Sequence, residues 1–191
     1  MLLIFHNQKG EYVMKKSLLA AVACGALFAA SAQAGEYMPY VGFDYVNRTL
    51  NVADQYPDNY DIGNINAGVK FVDLGSVEFF AERSMREKKS FFGNTARGRL
   101  YSWGADVLVN GYNFSEGAIL GSIGYGRVNT KTKFNGNTQK ESGNALRLGL
   151  GGEFNPTPDW GFRAMYRYSL ADSDAYANSK EFSIGARYYF Y

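Results

Sequence analysis

From Gly35 onward, apolar side chains recur at every second position rather than every third or fourth, the period of a strand and not of a helix. Eight segments carry the alternation. Pro39, Val41, Phe43 and Tyr45 alternate with Tyr40, Gly42 and Asp44; Ile65, Ala67, Val69 and Phe71 alternate with Asn64, Asn66, Gly68 and Lys70. Val77, Phe79 and Ala81 flank Glu78, Phe80 and Glu82, and Tyr101, Trp103, Ala105, Val107 and Val109 flank Ser102, Gly104, Asp106 and Leu108. The fifth segment holds Ile119, Gly121, Ile123 and Tyr125; the sixth sets Leu146, Leu148 and Leu150 against Arg147, Gly149 and Gly151. The seventh sets Phe162, Ala164, Tyr166 and Tyr168 against Arg163, Met165 and Arg167, and the eighth sets Phe182, Ile184, Ala186, Tyr188 and Phe190 against Glu181, Ser183, Gly185 and Arg187. Long polar gaps (48–59, 87–97, 129–143, 171–180) separate the members of successive pairs, and short ones (73–76, 110–116, 155–159) join the pairs. This spacing predicts an all-β, eight-stranded antiparallel up-and-down meander, which closes into a barrel because closure removes unpaired edges.

Alternation alone does not say which face is outside. Three features predict a transmembrane barrel with its apolar face outward. First, the other face carries Asp44, Lys70, Glu78, Glu82, Asp106, Arg147, Glu153, Arg163, Arg167, Glu181 and Arg187, interleaved with glycine. Five bases against six acids suit a paired network inside a barrel only wide enough for side chains to fill. Glu78 and Glu82 are expected to accept from Arg163, Arg167 or Arg187 across the lumen. Second, Tyr37, Phe71, Tyr101, Trp103, Phe154, Trp160, Tyr168, Tyr188 and Phe190 gather toward segment ends, as interfacial girdles do. Third, the chain ends with Ser183, Gly185, Tyr188 and Phe190 spaced as in the terminal signal of bacterial outer-membrane proteins, with Tyr191 as one extra residue. On these features residues 35–191 resemble the small eight-stranded outer-membrane barrels, the OmpA-like transmembrane and OmpX-like group. The resemblance implies recognition by the outer-membrane insertion machinery, a place in the bacterial outer membrane, and a structural, adhesive or immune-evasion role.

The start of the chain reads as an address. Met14-Lys15-Lys16, the apolar run Ser17–Ala30 and Ala32-Gln33-Ala34 form a secretory signal peptide over 14–34, leaving 1–13 as an over-called extension. The run is too short to span a bilayer. Cleavage before Cys24 would leave Gly25–Ala30 on the mature chain, so cleavage after Ala34 is expected. Of 20 basic and 18 acidic residues, three and one lie in the leader, leaving 17 of each. Bulk attraction to nucleic acid is therefore not expected.

Composition then narrows the chemistry. His6 and Cys24 are the only residues of their kinds and both precede Gly35, so no nucleophile–histidine pair, disulfide framework or thiolate metal site is expected. Glu78 and Glu82 lie ~13 Å apart along one strand, too far for a catalytic carboxylate pair. No phosphate-loop, nucleophile-elbow or zinc-peptidase motif occurs, and the acidic segments lack a calcium-loop pattern. The expectation is a non-enzymatic monomer with no cofactor and no metal.

Specific recognition is expected in the long connections. Arg86, Lys88, Lys89, Arg97, Lys131 and Lys133, with Phe91 and Phe92 as apolar contacts, form a candidate polyanion patch. Its candidate ligands are phosphorylated or sulfated host glycan, or the phosphates of the protein's own lipopolysaccharide. A narrow channel for small or amphipathic solutes is the alternative reading. A soluble ligand-binding barrel ranks third, since neither Trp103 nor Trp160 sits in a G-x-W start.

Overall fold

The computed structural model describes residues 37–51, 58–71, 74–85, 87–91, 94–134, 137–172 and 177–190. The leader and its cleavage site lie outside them. Nine strands run in chain order: β1 (Tyr37–Leu50), β2 (Asn59–Phe71), β3 (Gly75–Ser84), β4 (Glu87–Phe91), β5 (Asn94–Phe114), β6 (Gly117–Phe134), β7 (Asn137–Phe154), β8 (Trp160–Asp172) and β9 (Asn178–Tyr189). Consecutive strands pair antiparallel except β3 and β4; β3 pairs with β5 instead, and β9 returns to β1. Eight strands thus close a barrel, and β4 adds to the upper part of β5.

The alternating sets sort as expected for a membrane. Phe43, Ile65, Phe79, Leu150 and Ile184 point outward and are half or more exposed, whereas Asp44, Glu78, Arg167 and Arg187 point inward and are at most 1% exposed. With apolar rings outside and carboxylates inside, only a hydrocarbon surround satisfies both faces; in water the same arrangement would be inverted. Val77 and Val107, from the expected outward set, are buried opposite each other in the β3–β5 register. At the end that carries the short turns, Trp160, Tyr188 and Phe190 stack edge to face at 5.3 and 5.1 Å, and Tyr37 lies opposite Phe71. Amphipathic rings at such a rim match an interfacial girdle.

Backbone bonds tie neighbouring turns at that end: Asn110 N–H donates to the Leu74 carbonyl (3.0 Å), Asn155 to Glu116 (2.6 Å) and Tyr189 to Asp159 (2.8 Å). Gly75 enters β3 at φ 141°, a backbone that a side chain would strain.

The long connections differ from expectation. Residues 87–91, 94–97, 129–134 and 137–143, read as polar gaps, belong to strands. The upper parts of β4, β5, β6 and β7 form a four-stranded extension past the end of β8, which pairs with β7 only as far as Asn144. Polar residues occupy both of its faces, so the apolar period of two vanishes there although the ladder continues. Likewise β1 runs on to Leu50 and β2 starts at Asn59, inside the expected 48–59 gap.

Candidate functional site

The lumen holds one site. All eleven expected interior charges lie there; ten are buried and Lys70 is half-buried. The twelfth is Arg48, which the sequence reading had placed in a gap. Continuing the inward alternation two steps past Asp44, through Val46, reaches it. With it the lumen balances: Arg48, Lys70, Arg147, Arg163, Arg167 and Arg187 face Asp44, Glu78, Glu82, Asp106, Glu153 and Glu181.

These groups form linked clusters. Glu181 accepts from Arg48, from Arg147 (2.9 Å) and from Arg167 (3.1 Å). Glu82 also pairs with Arg48 (2.6 Å) and Arg147 (3.3 Å), rather than with the expected Arg163, Arg167 or Arg187. Its strand delivers it two pleats nearer the loop end than Glu78, opposite Ser102. Glu78 does meet the expected partners, Arg163 at 2.8 Å and Arg167 and Arg187 at 3.9 Å, and it accepts from Tyr40 Oη at 2.9 Å. Glu153 gathers Lys70 (2.6 Å), Arg163 (3.0 Å) and Tyr189 (2.7 Å) toward the turn end. Arg187 grips Asp44 with both terminal nitrogens, while Asn64 and Asn66 donate to the same carboxylate at 2.9 and 2.8 Å. Bidentate, charge-assisted contacts of this kind are the strong ones in a dry interior.

Two features of the inward set explain residues that look out of place in the sequence. Phe80, between Glu78 and Glu82, lies under the Arg147 guanidinium at 3.9 Å, a cation–π contact. Gly124 and Gly185 face Asp106 and Asp44 so closely that a Cβ at either position would collide with the carboxylate. Gly185 belongs to the C-terminal pattern, and so does Ser183, whose hydroxyl accepts from Arg167 at 3.0 Å. The other two members, Tyr188 and Phe190, face outward.

The lumen is not charged throughout. Val46, Leu50, Tyr60, Ile62, Leu100, Val128 and Ala145 form an apolar cluster toward the loop end. Leu108, Ala118, Leu120 and Met165 form a second. Between the first cluster and the ion pairs, Arg48, Phe80, Glu82, Ser102 and Arg147 line a cavity of about 10 Å³, about the least that holds one water.

The second site is the extension. Of the candidate patch, Arg86 and Phe92 lie outside the described residues. Lys88, Lys89 and Phe91 fall on β4, where Lys88 is the register partner of Arg97. Arg97 in turn lies opposite Lys133, and one pleat closer to the barrel Arg99 lies opposite Lys131, which lies opposite Lys140. Sequence reasoning left Arg99 and Lys140 out of the patch. Arg97, Arg99, Lys131 and Lys133 surround a cleft of about 190 Å³.

A closed barrel with hydrocarbon-compatible walls, paired charges within and polar strands beyond one rim is an integral protein of the bacterial outer membrane. The chain belongs to the outer membrane protein beta-barrel domain family, whose profile matches residues 20–190. Among solved structures it is similar to Ail, the attachment invasion locus protein of Yersinia pestis, at 22% identity and TM-score 0.56, covering 83% of this chain and all of that one. Ail has also been solved with the heparin analogue sucrose octasulfate. Neisserial surface protein A is similar at 17% identity and TM-score 0.57, over 81% of this chain and 97% of that one. The N-terminal barrel domain of Pseudomonas aeruginosa OprF is similar at 13% identity and TM-score 0.51, over 81% and 100%. No curated protein is matched.

Proposed function

We propose that this protein is a non-enzymatic surface-interaction barrel, adhesin-like, whose extracellular extension binds sulfated or phosphorylated glycan. The observation that carries this reading is the row Lys88, Arg97 and Lys133, register partners on three adjacent strands beyond the apolar band. Adjacent strands lie ~4.8 Å apart, so the row repeats charge at a spacing suited to a polyanionic chain. The heparin analogue found on the similar barrel Ail is chemistry of the same class. Replacing Lys88 and Lys89 by Glu should reduce adhesion of expressing cells to heparin-coated surfaces at low salt at least fivefold. Unchanged adhesion would remove the role.

The lumen is plugged in this reading. Balanced ion pairs fill the middle, and the Val46–Leu50–Ile62–Leu100 cluster seals the loop end. Planar-bilayer recordings of the reconstituted protein are therefore expected to show no stable large conductance. A persistent open level would favour the narrow channel instead. Ser183, Gly185, Tyr188 and Phe190 are assigned as the insertion signal: the last two present rings on the outer face of the final strand, where the insertion machinery can read them.

A further inference from the structure

The outward face of β6–β9 is not uniformly bulky. Beside Ile119, Leu150, Phe162 and Ile184, the positions Gly152, Ala164 and Ala186 carry little or no side chain. Packing within the wall does not demand this. Among the described residues, a Cβ at Gly152 would meet only the Ala118 carbonyl, at 3.7 Å, whereas at Gly124 and Gly185 it would collide with a carboxylate. The three small positions are the floor of an apolar groove of about 750 Å³.

Both ends of the groove are held in place. The register shift between Asn110 and Tyr112 moves the outward set of β5 from odd to even positions, which brings Phe114 to the outer face. Its ring rests over Gly117, where a Cβ would lie 2.8 Å from two ring atoms. At the far end Tyr45 donates its hydroxyl to Asp61 at 2.5 Å. From Phe114 the lining climbs along the register row Gly117, Phe154, Phe162, Ala186 and Phe43. Five steps of ~4.8 Å between strands tilted ~40° raise that row ~15 Å up the wall. This is about half of a ~30 Å hydrocarbon core, the depth that one acyl chain spans.

We infer that this groove holds one acyl chain of a phospholipid from the leaflet at the turn end, and that the headgroup of that lipid carries a primary ammonium. Two properties set the occupant. The lining is apolar and faces hydrocarbon, so neither water nor a polar ligand fills it. The mouth opens at the turn end beside Phe114, where the exposed charges among the described residues are Glu116 and Asp159. Asn155 N–H donates to the Glu116 carbonyl at 2.6 Å, which ties the β5–β6 turn to the β7–β8 turn and holds Glu116 at that mouth. Lys70, the described lysine at this end, is engaged by Glu153 in the lumen. Two carboxylates with no exposed base beside them favour an ethanolamine headgroup and disfavour an anionic one. The site lies on the wall, apart from the extension, so it stands or falls independently of the glycan reading.

The test uses the full barrel in phosphatidylcholine nanodiscs doped equally with phosphatidylethanolamine and phosphatidylglycerol, with retained lipid read by native mass spectrometry. Wild type should emerge as a monomer carrying one phosphatidylethanolamine, favoured over phosphatidylglycerol at least fivefold. Ala164→Leu with Ala186→Leu fills the groove and should cut that retention at least fivefold. Ala67→Leu with Ala81→Leu, at exposed positions of β2 and β3 outside the groove, should leave it unchanged. Glu116→Gln with Asp159→Asn should abolish the headgroup preference and keep the lipid count. Heat-modifiable gel mobility checks that each variant is folded; if the groove-filling variant is not, the wild-type preference and its loss with the two carboxylates decide. Equal retention of both headgroups by wild type means annular lipid only and overturns the inference. So does a preference for phosphatidylglycerol, or one for phosphatidylethanolamine that survives loss of both carboxylates. A wild-type dimer that the groove-filling variant abolishes would assign the groove to a second copy and overturn it as well.

Discussion

Glu181→Ala is expected to destabilise the barrel by about 3–5 kcal/mol, the magnitude seen when one partner of a buried ion pair is removed. Its carboxylate accepts from Arg48, Arg147 and Arg167, so the change leaves three buried guanidinium groups sharing fewer anions. Glu82 and Asp106 remain nearby, but Asp106 reaches Arg147 and Arg167 only at 3.8 and 3.6 Å. The measurement is urea unfolding in lipid vesicles, followed by tryptophan fluorescence and by heat-modifiable gel mobility. Replacing a whole cluster with apolar residues of similar volume should cost far less than removing the single acid, because no charge is then stranded. A loss below about 1 kcal/mol for Glu181→Ala would mean that water screens the lumen, and the plugged reading would fail with it.

Leu150→Arg tests the other face. Leu150 lies midway along the outward run Leu146–Phe154 and is 67% exposed. On a solvated surface such a change stays within about 0.5 kcal/mol. Facing hydrocarbon near mid-depth, it is expected to cost about 2–4 kcal/mol in vesicles. The same substitution at Ser115, exposed in the turn between β5 and β6, should be neutral by the same unfolding measurement. A neutral Leu150→Arg would contradict the membrane orientation.

Much of this architecture was legible in the residues because a barrel wall has two solvents and a side-chain period of two. Wherever one face met hydrocarbon and the other met charge, parity alone assigned each residue, as it did for Asp44, Glu78, Arg147 and Arg187. Parity became uninformative where both faces are polar. That is why β4 and the upper parts of β5, β6 and β7 read as gaps, and why Arg99 and Lys140 were left out of a patch whose strand register includes them. It misled in the opposite sense near Val46, Leu50 and Ile62, apolar residues on the inward face that truncated the apparent first segment and hid Arg48. The partners of Glu82 were not legible either. Which cation reaches which acid depends on the stagger of strands far apart in sequence, and Arg48 and Glu181 are separated by 133 positions.

The doubly held contact between Arg187 and Asp44 joins the first strand to the last, across the one barrel junction that no loop or turn connects. Until those strands meet, Asp44 keeps Asn64 and Asn66 but lacks its cation, and Arg187 is equally bereft. The pair Arg48–Glu181 crosses the same seam, so a half-zipped cylinder carries stranded ions that the sealed one pairs. The join acts as a clasp: sideways opening toward the bilayer, the motion that would spill lumen charge into lipid, is resisted most strongly at the seam where the chain itself provides no covalent tether.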